Sequence, residues 1–275
     1  MKKIMIVTGA SSGMGAWFAR LLAQESADYE QFSSDELWII ARRAARLEEL
    51  KREIESDARK SKKKFPAVKT VAQDISGSAG AERISRILEE EKKSGDFSIT
   101  VLVNNAGFGT YGAFENTDVR REMEMIDLDC TSLTGITGFA LPYMGRGSRI
   151  INVASLAAFM PLGNFAVYGA CKSYVLSFTV ALAAELKNRG IKVTAVCPGP
   201  VSTEFARVAS NGAREKVRHG LSPEKTAAHA LRCSRRGKLC SMFAFRWKFQ
   251  AAASRFIGRY FGAWATYTFC KRPSN

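Results

Sequence analysis

Ile4-Met5-Ile6-Val7-Thr8-Gly9-Ala10-Ser11-Ser12-Gly13-Met14-Gly15 is an apolar run that breaks into a turn with three glycines and then continues at helical spacing. A strand that enters a helix through such a turn presents backbone N–H groups to an anion at the positive helix end. Glycine permits the tight turn and a close approach of the backbone to a pyrophosphate. Gly9, Ser11, Ser12, Gly13, Met14 and Gly15 are therefore candidate dinucleotide contacts. The spacing Gly-x-x-x-Gly-x-Gly differs from the commoner Gly-x-Gly-x-x-Gly fingerprint, so the turn taken alone also fits a plain strand-to-helix connection.

Outward from this unit, short aliphatic runs alternate with longer stretches of three- and four-residue apolar periodicity. Strands are predicted at 3–8, 37–41, 67–72, 99–104, 149–154 and 192–197, with helices at 13–27, 43–60, 77–93, 118–144 and 166–188. That alternation predicts an α/β fold, a doubly wound parallel sheet with helices on both faces. Pro66, Gly95, Gly145, Gly147, Gly190 and Pro198-Gly199-Pro200 punctuate the loops. No linker-like composition divides the first 200 residues, so residues 1–222 are expected to form one dinucleotide-binding and catalytic domain. Residues 223–275 are expected to add a helical extension, packed on that domain or facing a membrane.

The chain has 275 residues, 46% hydrophobic, which is enough to bury a sizeable core. Its net charge of +15 is unevenly spread: 11 of the 41 basic residues and none of the 26 acidic ones lie from Lys225 onward, leaving +4 for the first 224 residues. A uniformly basic nucleic-acid binder is excluded by that distribution. The six cysteines include no Cys-x-x-Cys pair and there are only two histidines, so no metal site is expected and the cysteines read as reduced intracellular thiols. The apolar run after Met1-Lys2-Lys3 is too short for an export signal. The uncharged stretch Ile150 to Cys171 is interrupted by Asn152, Pro161 and Asn164 and reads as strand, loop and helix start.

Three further sites carry chemistry. The second predicted strand ends Ile39-Ile40-Ala41-Arg42-Arg43, without the carboxylate that would bind a ribose 2′-hydroxyl. Arg42, with Ser11 as a hydroxyl donor, can pair with a 2′-phosphate, which favours NADP over NAD; alternatively both arginines open a solvated helix. Tyr168 and Lys172 are four residues apart and project from one helix face, where an ammonium favours the phenolate. Ser155 closes a strand at the sheet edge where open α/β folds bind ligands.

In order along the chain, Thr8-Gly9-x-x-x-Gly13-x-Gly15, Asp74, Asn104-Asn105-Ala106-Gly107, Ser155, Tyr168-x-x-x-Lys172 and Pro198-Gly199 make the sequence resemble the short-chain dehydrogenase/reductase family over about residues 3–206. The resemblance implies a Rossmann fold and hydride transfer between a nicotinamide and a carbonyl carbon. It implies Tyr168 as general acid/base, Ser155 as the group that orients the substrate oxygen, and Lys172 as the residue that holds the nicotinamide ribose and lowers the tyrosine pKa. It further implies Asp74 and Ile75 near the adenine, Asn105, Ala106 and Gly107 along the cofactor, and Pro198, Gly199, Val201 and Thr203 near the nicotinamide. Asp129 stands where many members have an asparagine; it is expected to join the proton relay through its backbone carbonyl and a water, its charge offsetting part of the effect of Lys172.

Leu156, Phe159, Met160, Leu162, Phe165, Phe205, Val208, Phe108 and Tyr111 are candidates for an apolar pocket rim, with some of them expected to serve the core or a subunit contact instead. Such a pocket suits a hydrophobic ketone or secondary alcohol: a steroid, a bile acid, another lipid ketone or a 3-oxoacyl chain. The alternative is a non-catalytic dinucleotide-binding or membrane-surface protein. Residues 241–275 hold ten of the chain's 28 aromatics. At helical spacing Phe249, Ala253, Phe256, Tyr260, Trp264 and Tyr267 share one face, with Lys248, Arg255 and Arg259 on another. Packing over the cleft, a subunit interface and a peripheral membrane contact all fit this pattern. A homodimer or homotetramer formed through 118–144 and 166–188 is expected, as is a cytoplasmic location.

Overall fold

Alternation along each strand divides its side chains between two helical layers. β1 (Lys2–Thr8) sends Met5 and Val7 to one face of the sheet and Ile4 and Ile6 to the other. β2 (Glu36–Ala41) does the same with Leu37 and Ile39 against Trp38 and Ile40. Strands buried on both faces are the mark of a parallel sheet sandwiched by helices. With β3 (Ala67–Ala72), β4 (Phe97–Asn104), β5 (Arg149–Val153), β6 (Lys192–Val196) and β7 (Cys240–Ser241), they form a seven-stranded parallel sheet in the order β3-β2-β1-β4-β5-β6-β7. The computed structural model describes all residues except Lys216, Arg218, His219, Lys271, Pro273 and Asn275.

One face is covered by α1 (Gly13–Asp28), α2 (Ala44–Ser61) and α8 (Pro223–Arg235), whose Phe18, Leu22, Leu47, Leu50, Ile54, Ala230 and Leu231 fill its core. The other is covered by α3 (Gly77–Ser94), α5 (Leu133–Ala140) and α6 (Ala166–Glu185), through Ile84, Leu88, Ile136 and Leu182. Glu25 of α1 lies in the first layer with Arg149 of β5, 2.5 Å away, and Arg235 of α8. This ion triad ties the helical layer to the sheet at a point where all three groups lose most of their hydration. Helix α6 is long and apolar enough to cross a membrane by composition, yet its inner side packs on β5 and β6.

Two expectations are corrected. The helix expected over 118–144 is α4 (Val119–Ile126), then a π-helical turn over Asp127–Ser132, then α5, with a 3-10 turn at Leu141–Tyr143. The single amphipathic helix expected through Phe249 and Tyr267 is two helices, α9 (Phe245–Ala253) and α10 (Arg259–Phe269). Phe249 and Ala253 therefore share no helix face with Tyr260, Trp264 and Tyr267, and Phe256 lies in the connection, 91% exposed. The helix and strand beyond residue 222, α8 and β7, join the layers of the sheet, and the segment beyond them begins at 242. A short helix, α7 (Phe205–Ala209), follows β6.

Candidate active site

The strand order reverses between β1 and β4, and the crevice at the carboxyl ends of these strands is where an open α/β sheet receives a ligand. The turn after β1 is held open there by contacts that only glycine allows. Gly9 has φ +66°, and a Cβ on it would lie 2.7 Å from the Ala106 backbone; a Cβ on Gly15 would lie 2.2 Å from the Gly9 carbonyl oxygen. Thr8 Oγ1 accepts the Asn105 and Ala106 amides at 3.0 and 3.1 Å, while Asn105 Nδ2 donates to the Thr8 and Gly9 carbonyls at 3.1 and 3.2 Å. Asn105 thus shapes the glycine turn. Ser12, the N-cap of α1, makes no capping bond with its side chain, so the first amides of the helix face the crevice unblocked by it.

The crevice opens into a cleft of about 1480 Å³. Gly9, Ser11, Ser12, Gly13, Met14, Arg42, Asp74, Ile75, Asn105, Ala106, Gly107, Pro198, Gly199, Val201 and Thr203 all line it, together with Ser155, Tyr168 and Lys172. Gly15 is set behind the turn, where its lack of a side chain lets α1 meet Gly9. Of the two arginines after β2, the one bonded to Ser11 is Arg43 and not Arg42. Arg43 Nε and one terminal nitrogen donate to Ser11 Oγ at 3.1 and 3.0 Å, and the other terminal nitrogen donates to Glu204 at 3.0 Å. Glu204, far along the chain, carries no motif that marks it. Burial pushes its carboxyl up, but Arg43 outweighs that and holds it below its ordinary value. The Asp74 carboxylate accepts the Ser76 amide at 3.1 Å at the exposed rim.

At the other end of the cleft, Ser155 lies two residues beyond the end of β5, and its hydroxyl caps a 3-10 turn by accepting the Ala157 amide at 3.1 Å. Tyr168 in the first turn of α6 is buried, near enough to Ser155 for that hydroxyl to favour the phenolate. One turn on, Lys172 Nζ lies 5.5 Å from the centre of the Tyr168 ring, donates to the Val153 carbonyl at 3.1 Å and lies 2.9 Å from Asp129 Oδ2. Asp129 comes from the π-helical turn, is 1% exposed and accepts the Phe108 amide at 3.0 Å. Besides the relay expected through its backbone carbonyl and a water, Asp129 pairs with the lysine directly through its carboxylate.

Burial raises the Tyr168 phenol above its ordinary value and the Asp129 charge adds to this, while Lys172 and Ser155 pull the other way. The net shift is thus opposite to the lowering expected from the lysine alone. Burial lowers the Lys172 ammonium, but the Asp129 carboxylate and the Tyr168 phenol more than offset it, so the lysine stays firmly protonated.

All nine predicted rim residues line the cleft. Phe165 stacks on Tyr168 with centroids 4.1 Å apart, Phe205 tilts against Tyr168 at 5.4 Å, and Tyr111 meets Phe165 edge-on at 4.7 Å. The C-terminal segment completes this wall. Trp247 of α9 packs over Gly199, where a Cβ would come within 2.3 Å of the indole. Thr266 Oγ1 accepts the Gly163 amide and the Tyr267 carbonyl accepts Asn164 Nδ2, each at 2.9 Å. Of the three fits for the segment, packing over the cleft describes its inner side; Phe245, Phe249, Phe256, Tyr260 and Phe269 point outward and are exposed.

A model of the short chain dehydrogenases matches residues 3–213. The chain is 32% identical to sulfoacetaldehyde reductase 2 of Chromohalobacter salexigens over 216 residues, 77% of this chain and 78% of that one. It is 31% identical to serine 3-dehydrogenase of Agrobacterium fabrum over 232 residues, 81% and 83% of the two chains. Among solved structures, a short-chain dehydrogenase from Sphingobium yanoikuyae in complex with NADPH is similar over 93% of this chain and 94% of its own, with TM-score 0.75 and 25% identity. With its glycine turn opening onto a buried tyrosine and lysine, the chain belongs to the short-chain dehydrogenase/reductase family and is an oxidoreductase dependent on a nicotinamide dinucleotide.

Proposed function

We propose that the protein interconverts a hydrophobic ketone and a secondary alcohol, with NADP(H) as cofactor and Tyr168 as the general acid/base. The observation that carries this reading is that Ser155, Tyr168 and Lys172 line one end of a largely apolar cleft, with Asp129 paired to the lysine behind them. The bound dinucleotide supplies the hydride for reduction or takes it up in oxidation. Tyr168 gives its phenolic proton to the carbonyl oxygen in reduction and takes the hydroxyl proton in oxidation, and Ser155 orients that oxygen. Lys172 holds the cofactor ribose and keeps a positive charge beside the phenol, with Asp129 fixing the ammonium. The glycine turn and Ser12 receive the pyrophosphate, Asp74 and Ile75 the adenine, and Asn105, Ala106, Gly107, Pro198, Gly199, Val201 and Thr203 the nicotinamide half. NADP is favoured because Arg42 and Arg43 follow β2 with no carboxylate at that point.

The aromatic and aliphatic lining from Leu156 to Phe165, with Phe205, supports a lipophilic substrate of steroid, bile-acid, other lipid-ketone or 3-oxoacyl type. Tyr168→Phe is expected to cut NADPH-dependent ketone reduction by about a thousandfold while leaving dinucleotide binding intact. Equal turnover by the variant would overturn the mechanism and favour a protein that only binds dinucleotide. A screen of lipid ketones with NADPH and then NADH tests the cofactor preference, which equal rates with both would refute.

A homo-oligomer is supported by Phe139, Tyr174 and Val180, exposed on α5 and α6; a monomeric mass by light scattering would exclude it. For a cytoplasmic enzyme, the outward aromatics of α9 and α10, set among Arg246, Lys248, Arg255 and Arg259, suit an anionic bilayer surface. Co-sedimentation with phosphatidylglycerol vesicles at low salt is expected, and its absence would end that reading.

A further inference from the structure

Beside the aromatic stack on Tyr168 lies a feature that a purely apolar substrate leaves unused. Arg272 arrives from beyond α10, lines the cleft and places its guanidinium carbon 5.3 Å from the centre of the Phe165 ring. Its hydrogen bond goes to the neutral Gly163 carbonyl at 2.8 Å, and among the described residues no carboxylate pairs with it. Arg214 lines the same cleft, 5.9 Å from the Tyr111 ring. Tyr111 feels both cations, and the two arginines lie close enough that Arg214 adds to the burial that already lowers the pKa of Arg272. A guanidinium drawn out of water at a cleft wall, with a neutral carbonyl as its hydrogen-bond partner, gains from an anion that joins it there. A guanidinium held over an aromatic ring at a cleft wall is suited to bind an oxoanion.

We propose that Arg272, with Arg214, forms an anion subsite at the substrate end of the cleft, and that the substrate is an amphipathic anion: an apolar skeleton carrying the ketone or alcohol and an oxoanion held by Arg272. This rests on the reading of Tyr168 as the group that meets the reacting oxygen. Phe165 touches both, its ring centre 4.1 Å from that of Tyr168 and 5.3 Å from the Arg272 guanidinium carbon, so ketone and oxoanion belong to one molecule reaching past that single ring. The aromatic wall accepts the skeleton, and the tail closes over the charged end.

The test uses the full chain with NADPH, a series of linear oxo acids differing in the number of carbons between ketone and carboxylate, and the methyl ester of each. One spacing is expected to be reduced best, with kcat/KM for the acid above that for its ester by about tenfold or more. Arg272→Gln is expected to erase that preference by raising KM for the acid with kcat little changed, and Arg272→Lys to restore part of it. Acid and ester reduced equally well by the unaltered protein would overturn the anion subsite while leaving ketone reduction by Tyr168 standing. An equal loss on acid and ester in Arg272→Gln would show that the residue merely anchors the tail, and would overturn it too. Calorimetric binding of each pair to the NADP-loaded protein gives the same comparison without turnover; equal affinity for acid and ester there refutes the proposal independently of the chemistry.

Discussion

Asp129→Asn removes the negative charge behind Lys172 while keeping side-chain size and an oxygen that can accept the Phe108 amide. Lys172 Nζ lies 2.9 Å from the carboxylate and 5.5 Å from the Tyr168 ring centre. The carboxylate is then at most about 8 Å from the ring, where a unit charge disfavours the phenolate by about 2 kcal/mol at an effective dielectric of about 20. That corresponds to about 1.5 pH units in the tyrosine pKa. Burial and Asp129 hold the phenol above its ordinary value of 10.0 against the pull of Lys172 and Ser155. In alcohol oxidation Tyr168 must accept a proton, so activity rises as pH climbs through this pKa. Without the carboxylate the lysine charge acts unopposed, the phenol becomes more acidic, and the rising limb moves to lower pH by about 1 to 1.5 units. In ketone reduction the falling limb moves the same way. The assay is kcat against pH in both directions at saturating dinucleotide, with thermal unfolding as a control for folding. A limb that stays in place, or moves to higher pH, refutes an electrostatic role for the carboxylate.

Glu25→Gln leaves Arg149, 3% exposed, without its charged partner inside the sheet layer, and is expected to lower the unfolding free energy in urea by about 3 kcal/mol; a loss under about 1 kcal/mol would show that water reaches the arginine. Burial raises the Glu91 carboxyl, but the Lys2 and Lys69 ammonium groups outweigh it and hold the pKa below its ordinary 4.5. A carboxylate with a depressed folded-state pKa contributes stability above its unfolded value and loses it as pH falls through the folded one. Stability measured from pH 6 down to about pH 3 should therefore fall less steeply in Glu91→Gln than in the unaltered protein; identical slopes would show that the cluster adds nothing.

The parts of the site that were readable in the sequence are those set by local rules. Gly9, Gly13 and Gly15 mark a turn whose geometry excludes side chains, and Tyr168 and Lys172 sit one turn apart whatever surrounds them. What escaped reading depends on partners distant in the chain. Arg42 and Arg43 are equivalent as sequence, and Glu204, 161 residues away, bonds Arg43 into the place beside Ser11. The period of apolar residues runs through 119–140 without a sign of the π turn, yet Asp129, the carboxylate that pairs with Lys172, lies in that turn. In the tail, only Gly258 hinted that the helix would break. The break lets α10 change direction so that Thr266 and Tyr267 reach Gly163 and Asn164, a contact 103 residues apart that no helical periodicity encodes.

The wall supplied by α9 and α10 has a consequence for how the molecule is made. The sheet is complete at Ser241, while Trp247, Thr266 and Arg272 emerge from the ribosome only afterwards. During synthesis there is an interval in which the dinucleotide crevice already exists and the substrate chamber lacks a side. A protease that trims the same stretch from the finished protein would return it to that open stage: a folded layer of strands and helices, still shaped for its cofactor, that has lost its means of choosing what enters.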